Sequence, residues 1–185
     1  MNTFELDSKK QWIKNIRRVR SPNCDERPKH SVIKLVVIHG ISLPPKQFGG
    51  NYIDNLFTNS LNPDDHTYFS EIQHLRVSAH VLINRKGLVT QYVPFNKRAW
   101  HAGESMFEGC RECNNFSIGI EMEGSDDDPY EADQYDALSV IIKMIMKSWP
   151  EVTRKRITGH SDISPGRKTD PGPMFEWDNF YKSLD

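Results

Sequence analysis

Val32-Ile33-Lys34-Leu35-Val36-Val37-Ile38-His39-Gly40 is the stretch on which the fold turns. A near-continuous run of β-branched residues marks a strand covered on both faces. Such a strand needs packed layers above and below it. The run ends in His39-Gly40, and a histidine at the end of a core strand stands where sheets present functional groups.

The neighbouring segments supply the other layers. Ser117 to Glu123 alternates, with Ile118, Ile120 and Met122 on one side and Ser117, Gly119, Glu121 and Glu123 on the other. Carboxylates on one face of a central strand imply that this face lines a wet cleft. Val77 to Ile83, a turn at Asn84-Arg85-Lys86-Gly87, and Leu88 to Val93 predict a β-hairpin. Tyr52, Ile53, Leu56 and Phe57 are helix-spaced. So are Tyr135, Leu138, Ile141, Ile142, Ile145, Met146 and Trp149, which precede a stop at Pro150. Residues 9–20 set Trp12, Ile13, Ile16 and Val19 among Lys9, Lys10, Lys14, Arg17, Arg18 and Arg20, which predicts a short amphipathic helix with a basic face. Asn62 to Gln73 reads as a polar loop, Ala99 to Gly103 opens another, and Phe175 to Tyr181 reads as a last short helix. The expectation is a mixed α/β fold: one domain over 1–185, a central mixed β-sheet flanked by helices.

The 185 residues suffice for one buried core, and 37% hydrophobic with 26% charged residues is the balance of a globular protein. The net charge of −1 argues against a general nucleic-acid binder. No apolar run approaches the ~18–20 residues of a membrane span, so no membrane partner is expected. Met1 to Ser8 shows no apolar signal-peptide core, and the expectation is a cytoplasmic monomer. Cys24, Cys110 and Cys113 are an odd set without a disulfide framework, and Cys110 and Cys113 form a lone C-x-x-C that reads as two ordinary thiols.

The chemistry concentrates in Gly159-His160-Ser161-Asp162-Ile163-Ser164-Pro165-Gly166-Arg167-Lys168-Thr169-Asp170-Pro171-Gly172-Pro173. Its Pro and Gly residues forbid an ordinary helix. His160 and Asp170 are N and O ligands of the kind Zn²⁺ accepts, and His39 completes the three protein ligands of a catalytic site. The alternative is two hydrogen-bonded histidines and an aspartate capping a turn.

Val37-Ile38-His39, Ser78-Ala79-His80-Val81-Leu82-Ile83, Ala99-Trp100-His101-Ala102-Gly103, Ile118-Gly119-Ile120-Glu121 and the 159–173 loop follow one another in an order that resembles the zinc-dependent N-acetylmuramoyl-L-alanine amidases, relatives of the peptidoglycan recognition proteins. The motifs around Ile41 to Pro45, Phe48 to Gly50, Leu75 to His80 and Arg17 to Asn23 are most similar to the cytoplasmic AmpD-type group, which acts on 1,6-anhydro-N-acetylmuramyl-L-alanine. The resemblance covers nearly the whole chain. It implies zinc at His39, His160 and Asp170, Glu121 as the base that activates water, and Lys168 as the stabiliser of the oxyanion. It implies a muropeptide substrate met by Arg76, Trp100 and His101, with His80 and His101 giving hydrogen-bonding support rather than ligating metal. Two positions depart from the pattern at the border of the expected cleft: Gly40 stands where relatives carry Asn, and Glu112, beside Arg111, where some carry a basic residue.

The implied activity is hydrolysis of the amide between (anhydro)muramic acid and L-alanine in cell-wall recycling. Two other readings stay in view: an amidase acting on intact wall outside the cytoplasm, and a non-catalytic binding protein of the same fold.

Overall fold

A computed structural model describes residues 4–9 and 11–185. In chain order the elements are β1 (Arg17–Arg18), β2 (Cys24–Glu26), β3 (Leu35–Ile41), α1 (Tyr52–Phe57), α2 (Phe69–Ile72), β4 (Val81–Ile83), β5 (Val89–Gln91), β6 (Lys97–Ala99), β7 (Met106–Phe107), β8 (Cys110–Arg111), β9 (Ser117–Glu123), α3 (Ala132–Ser148), β10 (Ile157–Gly159), α4 (His160–Ile163) and α5 (Trp177–Ser183). Six strands form one mixed sheet in the order β1-β5-β4-β9-β3-β10. Strands β4, β9, β3 and β10 run parallel, and β5 is antiparallel to β4. The carboxyl ends of the four parallel strands therefore share one edge, where open α/β sheets bind ligands.

Helices cover both faces. On one, Val36, Ile38, Ile118, Ile120, Met122, Val81 and Ile83 pack against Leu138, Ile141, Ile142 and Ile145 of α3 and Phe180 of α5. On the other, Leu82 meets Ile53, Leu56 and Phe57 of α1 and Phe69 and Ile72 of α2. The apolar stripe of α3 is core, as its spacing predicts. Gln134 anchors its first turn: buried Nε2 donates to Ile83 O (3.2 Å) and Glu123 O (3.0 Å), tying α3 to the ends of β4 and β9. Among the described residues no helix is long and apolar enough to cross a membrane.

Four expectations are corrected. The described residues of 9–20 form no helix. Ile13 is fully buried, its N–H donates to Gln91 Oε1 (2.8 Å), Asn15 takes a left-handed φ of 57°, and Arg17–Arg18 pairs with β5. Helix propensity differs by tenths of a kcal/mol per residue, whereas burying one isoleucine contributes roughly 1.5–3 kcal/mol, so packing wins. Lys10 of that segment lies outside the described residues. The central strand begins at Leu35 and runs to Ile41, so His39 lies within it and not at its tip. The 62–73 segment holds a 3-10 turn (Pro63–Asp65) and α2, because Phe69 and Ile72 reach the core. The loop after Gly159 begins with one helical turn, α4, closed by Gly159 N–H donating to Asp162 Oδ2 (2.9 Å).

Candidate metal centre and active site

His39 of β3 is in register with Glu121 of β9, so both side chains leave the same face of adjacent parallel strands. Gly159 of β10 is in register with Ile38, which sets His160 next to His39. The chain then loops through Pro165-Gly166 and returns at Asp170, whose carbonyl accepts from Ser161 N–H (2.9 Å).

The three residues meet at single atoms. His39 Nδ1 lies 3.0 Å from His160 Nδ1 and 3.1 Å from Asp170 Oδ2, and His160 Nδ1 lies 3.0 Å from that oxygen. Tetrahedral Zn²⁺ with bonds of ~2.0–2.1 Å separates its ligand atoms by about 3.4 Å, close to what is seen. The far sides of the rings are already engaged. His160 Nε2–H donates to Ala102 O (3.0 Å), and His39 Nε2 meets His101 Nδ1 (2.9 Å). With its proton on Nε2, His160 turns the Nδ1 lone pair toward His39 Nδ1 and Asp170 Oδ2. Two imidazole nitrogens and a carboxylate oxygen converging on one point fit a divalent metal.

Electrostatics agree. Burial pushes the His39 imidazole down to about 4, against the pull of Asp170, so it is neutral and ready to ligate at neutral pH. Burial raises the Asp170 carboxyl, yet hydrogen bonding with His160 and His39 outweighs it and holds the group far below the ordinary carboxylate range. Glu121 goes the other way: burial first, then the negative charge of Asp170, raises its carboxyl, and Lys168 partly offsets this. Glu121 is only 8% exposed, and its buried Oε2 has no hydrogen-bond partner among the described residues. A carboxylate kept basic and unspent beside a metal centre suits a proton acceptor. Lys168 is exposed on the 164–170 loop, close enough to act on both Glu121 and His39.

The face of β9 expected to be wet is buried throughout. Glu123 accepts from Gly49 N–H (2.5 Å) and Arg85 N–H (3.0 Å), bonding two loops together. His101, read as a substrate contact, has its ring turned inward: it is 9% exposed and bridges His39 to Ser117 Oγ (3.1 Å). Such a partner fixes the tautomer and orientation of a ligand histidine. Gly119 makes room for it, since a Cβ there would lie 2.4 Å from His101 Cγ. His80 is fully buried further back, accepting from Gly119 N–H (3.0 Å) and donating from Nε2 to Lys97 O (3.1 Å). Arg76 is exposed and folds back on Gln73 O (3.2 Å), and half-buried Trp100 donates its backbone N–H to Ser78 Oγ (3.2 Å). No hydrogen bond among the described residues joins Arg76 or Trp100 to the cluster.

Sequence reading missed two groups. Arg167 donates to Ala102 O (2.6 Å), Glu104 O (2.7 Å) and Ser164 Oγ (2.7 Å), clasping the loop that holds His160. Tyr130 donates to Pro171 O (2.8 Å), next to Asp170. The position of Arg167 in the ligand loop was a signal for the first; Tyr130 carried none. The three cysteines are free, with Cys113 buried and Cys110 exposed.

A mixed sheet with a His-His-Asp centre at its carboxyl edge and a buried glutamate alongside defines a class. The chain belongs to the N-acetylmuramoyl-L-alanine amidase family, whose pattern matches residues 29–173, and is thereby an amide hydrolase. Over 178 residues it is 52% identical to the 1,6-anhydro-N-acetylmuramyl-L-alanine amidase AmpD of Haemophilus influenzae, covering 96% of this chain and 97% of that protein. It superposes on the crystal structure of a selenomethionine AmpD derivative with a TM-score of 0.94 at 49% identity, over 98% of this chain and 99% of that one. AmpDh3 of Pseudomonas aeruginosa, solved in complex with anhydromuramic pentapeptide, matches with a TM-score of 0.62 at 27% identity, over 82% of this chain and 59% of that one.

Proposed function

We propose that residues 1–185 form one zinc amidase domain, a cytoplasmic monomer that hydrolyses the amide between 1,6-anhydro-N-acetylmuramic acid and L-alanine in muropeptides during cell-wall recycling. The observation that carries this reading is the convergence of His39 Nδ1, His160 Nδ1 and Asp170 Oδ2 beside the unpartnered Oε2 of Glu121. The substrate follows the relatives: 52% identity to a protein named for the anhydro sugar supports that sugar here.

Zn²⁺ held by His39, His160 and Asp170 would supply a Lewis acid for the amide carbonyl and an acidified water. Glu121 accepts the proton of the attacking water and returns it to the departing amine of L-alanine, completing hydrolysis. Its raised affinity for protons serves both transfers. Lys168 faces the oxygen on which negative charge develops. Arg76 and Trp100 meet the peptide or sugar outside the centre.

The test is zinc-loaded protein offered anhydromuramyl-tripeptide and, separately, the same peptide on a non-anhydro sugar, with products read by mass spectrometry. Release of free tripeptide from the anhydro substrate is expected. Cleavage of the non-anhydro substrate alone would overturn the sugar assignment, and cleavage of neither would overturn the amidase reading.

A further inference from the structure

Tyr130 lies between β9 and α3, outside every motif that carries the site. Its side chain is 7% exposed and its ring packs edge-on against Phe175, with centroids 5.6 Å apart. The ring spans the carboxyl ends of β3 and β9, and both ends are built around it. A Cβ on Gly124 would stand 2.4 Å from Tyr130 Cε1, and a Cβ on Gly40 would stand 2.5 Å from its hydroxyl oxygen. Neither glycine has a positive φ. They are glycines for space, not for backbone freedom.

The hydroxyl that occupies the space over Gly40 donates to Pro171 O at 2.8 Å. Pro171 fills the next gap along the sheet edge, where a Cβ on Gly159 of β10 would meet its Cδ at 2.9 Å and a Cβ on Gly40 its Cα at 3.5 Å. Asp170 precedes it. Among the described residues, apart from the Ser161 N–H bond to its carbonyl, the hydrogen bonds of Asp170 run to the two imidazoles it is meant to face. The carboxylate cannot position itself, so its place depends on how the backbone beside it is held.

We infer that Tyr130 is a positioning residue of the metal centre: its phenol, admitted by Gly40 and Gly124, tethers Pro171 and so holds the Asp170 carboxylate against His39 and His160. This rests on the metal reading proposed above. Partners of this kind typically change metal affinity by ~10–100-fold when removed.

The experiment is a double-mutant cycle of Y130F, G40A and the pair. Zinc affinity is measured by chelator competition, and exchange of the Ser161 amide by hydrogen–deuterium exchange on metal-free protein. Y130F is expected to weaken zinc about 10-fold and to speed Ser161 exchange, with the melting temperature little changed. G40A alone is expected to do more harm, and Y130F to relieve part of it, because the oxygen a new Cβ would strike is gone. Unchanged zinc affinity in Y130F, or strictly additive effects in the cycle, would overturn the assignment. If Y130F does not fold, G40A decides by the same two readouts. If wild-type protein takes up no zinc, the metal reading fails on its own, and Ser161 exchange then decides whether Tyr130 holds the loop.

Discussion

Glu121 stands beside His39 at one register position of the parallel strands β3 and β9. Paired strands lie about 4.8 Å apart, so base and ligand are neighbours by sheet geometry and require no loop to bring them together. Glu123 shares that face one strand repeat further on, roughly 6.5–7 Å along it, but spends its oxygens on Gly49 and Arg85.

Glu121→Gln is expected to keep the fold and the zinc and to lower kcat/KM by about 10²–10⁴, because an amide accepts no proton. Glu123→Gln turns an NH₂ toward a backbone N–H, so it should destabilise the fold by roughly 1–3 kcal/mol while leaving kcat/KM within several-fold below the melting range. Kinetics on anhydromuramyl-tripeptide, zinc content and thermal melts separate the two. The reverse pattern would assign the base to Glu123.

Wild-type protein should carry one zinc per chain, and His160→Ala close to none, since two remaining ligands hold Zn²⁺ poorly. Elemental analysis after dialysis measures it. Undiminished zinc in the variant would remove His160 from the site.

Lys168→Ala should lower kcat by about 10²–10³ with zinc content and KM little changed, as expected of a cation aimed at a developing oxyanion. Lys168 is exposed, so the melting temperature should hold. A change confined to KM would make Lys168 a ground-state substrate contact.

Gly119→Ala places a Cβ 2.4 Å from His101 Cγ and must push that ring off His39. Zinc affinity should fall ~10–100-fold, the usual effect of losing a ligand's outer partner. Chelator competition reads this directly, and wild-type affinity would show that His101 does not orient His39.

Metal-free protein should lose stability as pH falls from about 6.5 toward 4. Burial lowers the imidazoles of His39, His80 and His101 in the folded state, His39 to about 4, whereas an unfolded histidine titrates near ~6.5. In that window the three unfolded histidines bind more protons than the buried rings, outweighing the one proton that Glu121, raised, keeps in the fold, so stability rises with pH across it and is lost on the way down. His39 alone contributes on the order of 2–3 kcal/mol. Asp170, depressed, contributes stability that is lost only below the ordinary carboxylate value of ~4, outside the window. Melting temperatures across the window measure the slope. A flat profile would show that these rings are not buried neutral.

Much of the frame was legible in local pattern. The alternation of Ser117–Glu123, the 3.6-residue stripe of α3 and the hairpin turn at 84–87 each persist in the fold because each segment buries the face its spacing marks. The residue types at His39, His160 and Asp170 announced ligand chemistry before any geometry.

What spacing could not carry is anything settled by partners far away in the chain. Residues 9–20 have helical periodicity, yet Ile13 is claimed by Gln91, 78 positions on, and the short helix has too little intrinsic stability to compete. His39 and Asp170 are 131 positions apart, and only the register of β3, β9 and β10 brings their atoms to 3.1 Å. Glu121 and Glu123 are indistinguishable by parity; Gly49 and Arg85, which engage one and leave the other free, come from separate loops. Tyr130 is the extreme case, since its role exists only where Gly40, Gly124 and Pro171 converge. Sequence by itself determined the central strands and the long helix α3, and which side chains have metal and proton chemistry. Tertiary structure decided which lone pairs face one another, because directional contacts between distant residues depend on where the whole sheet sets them.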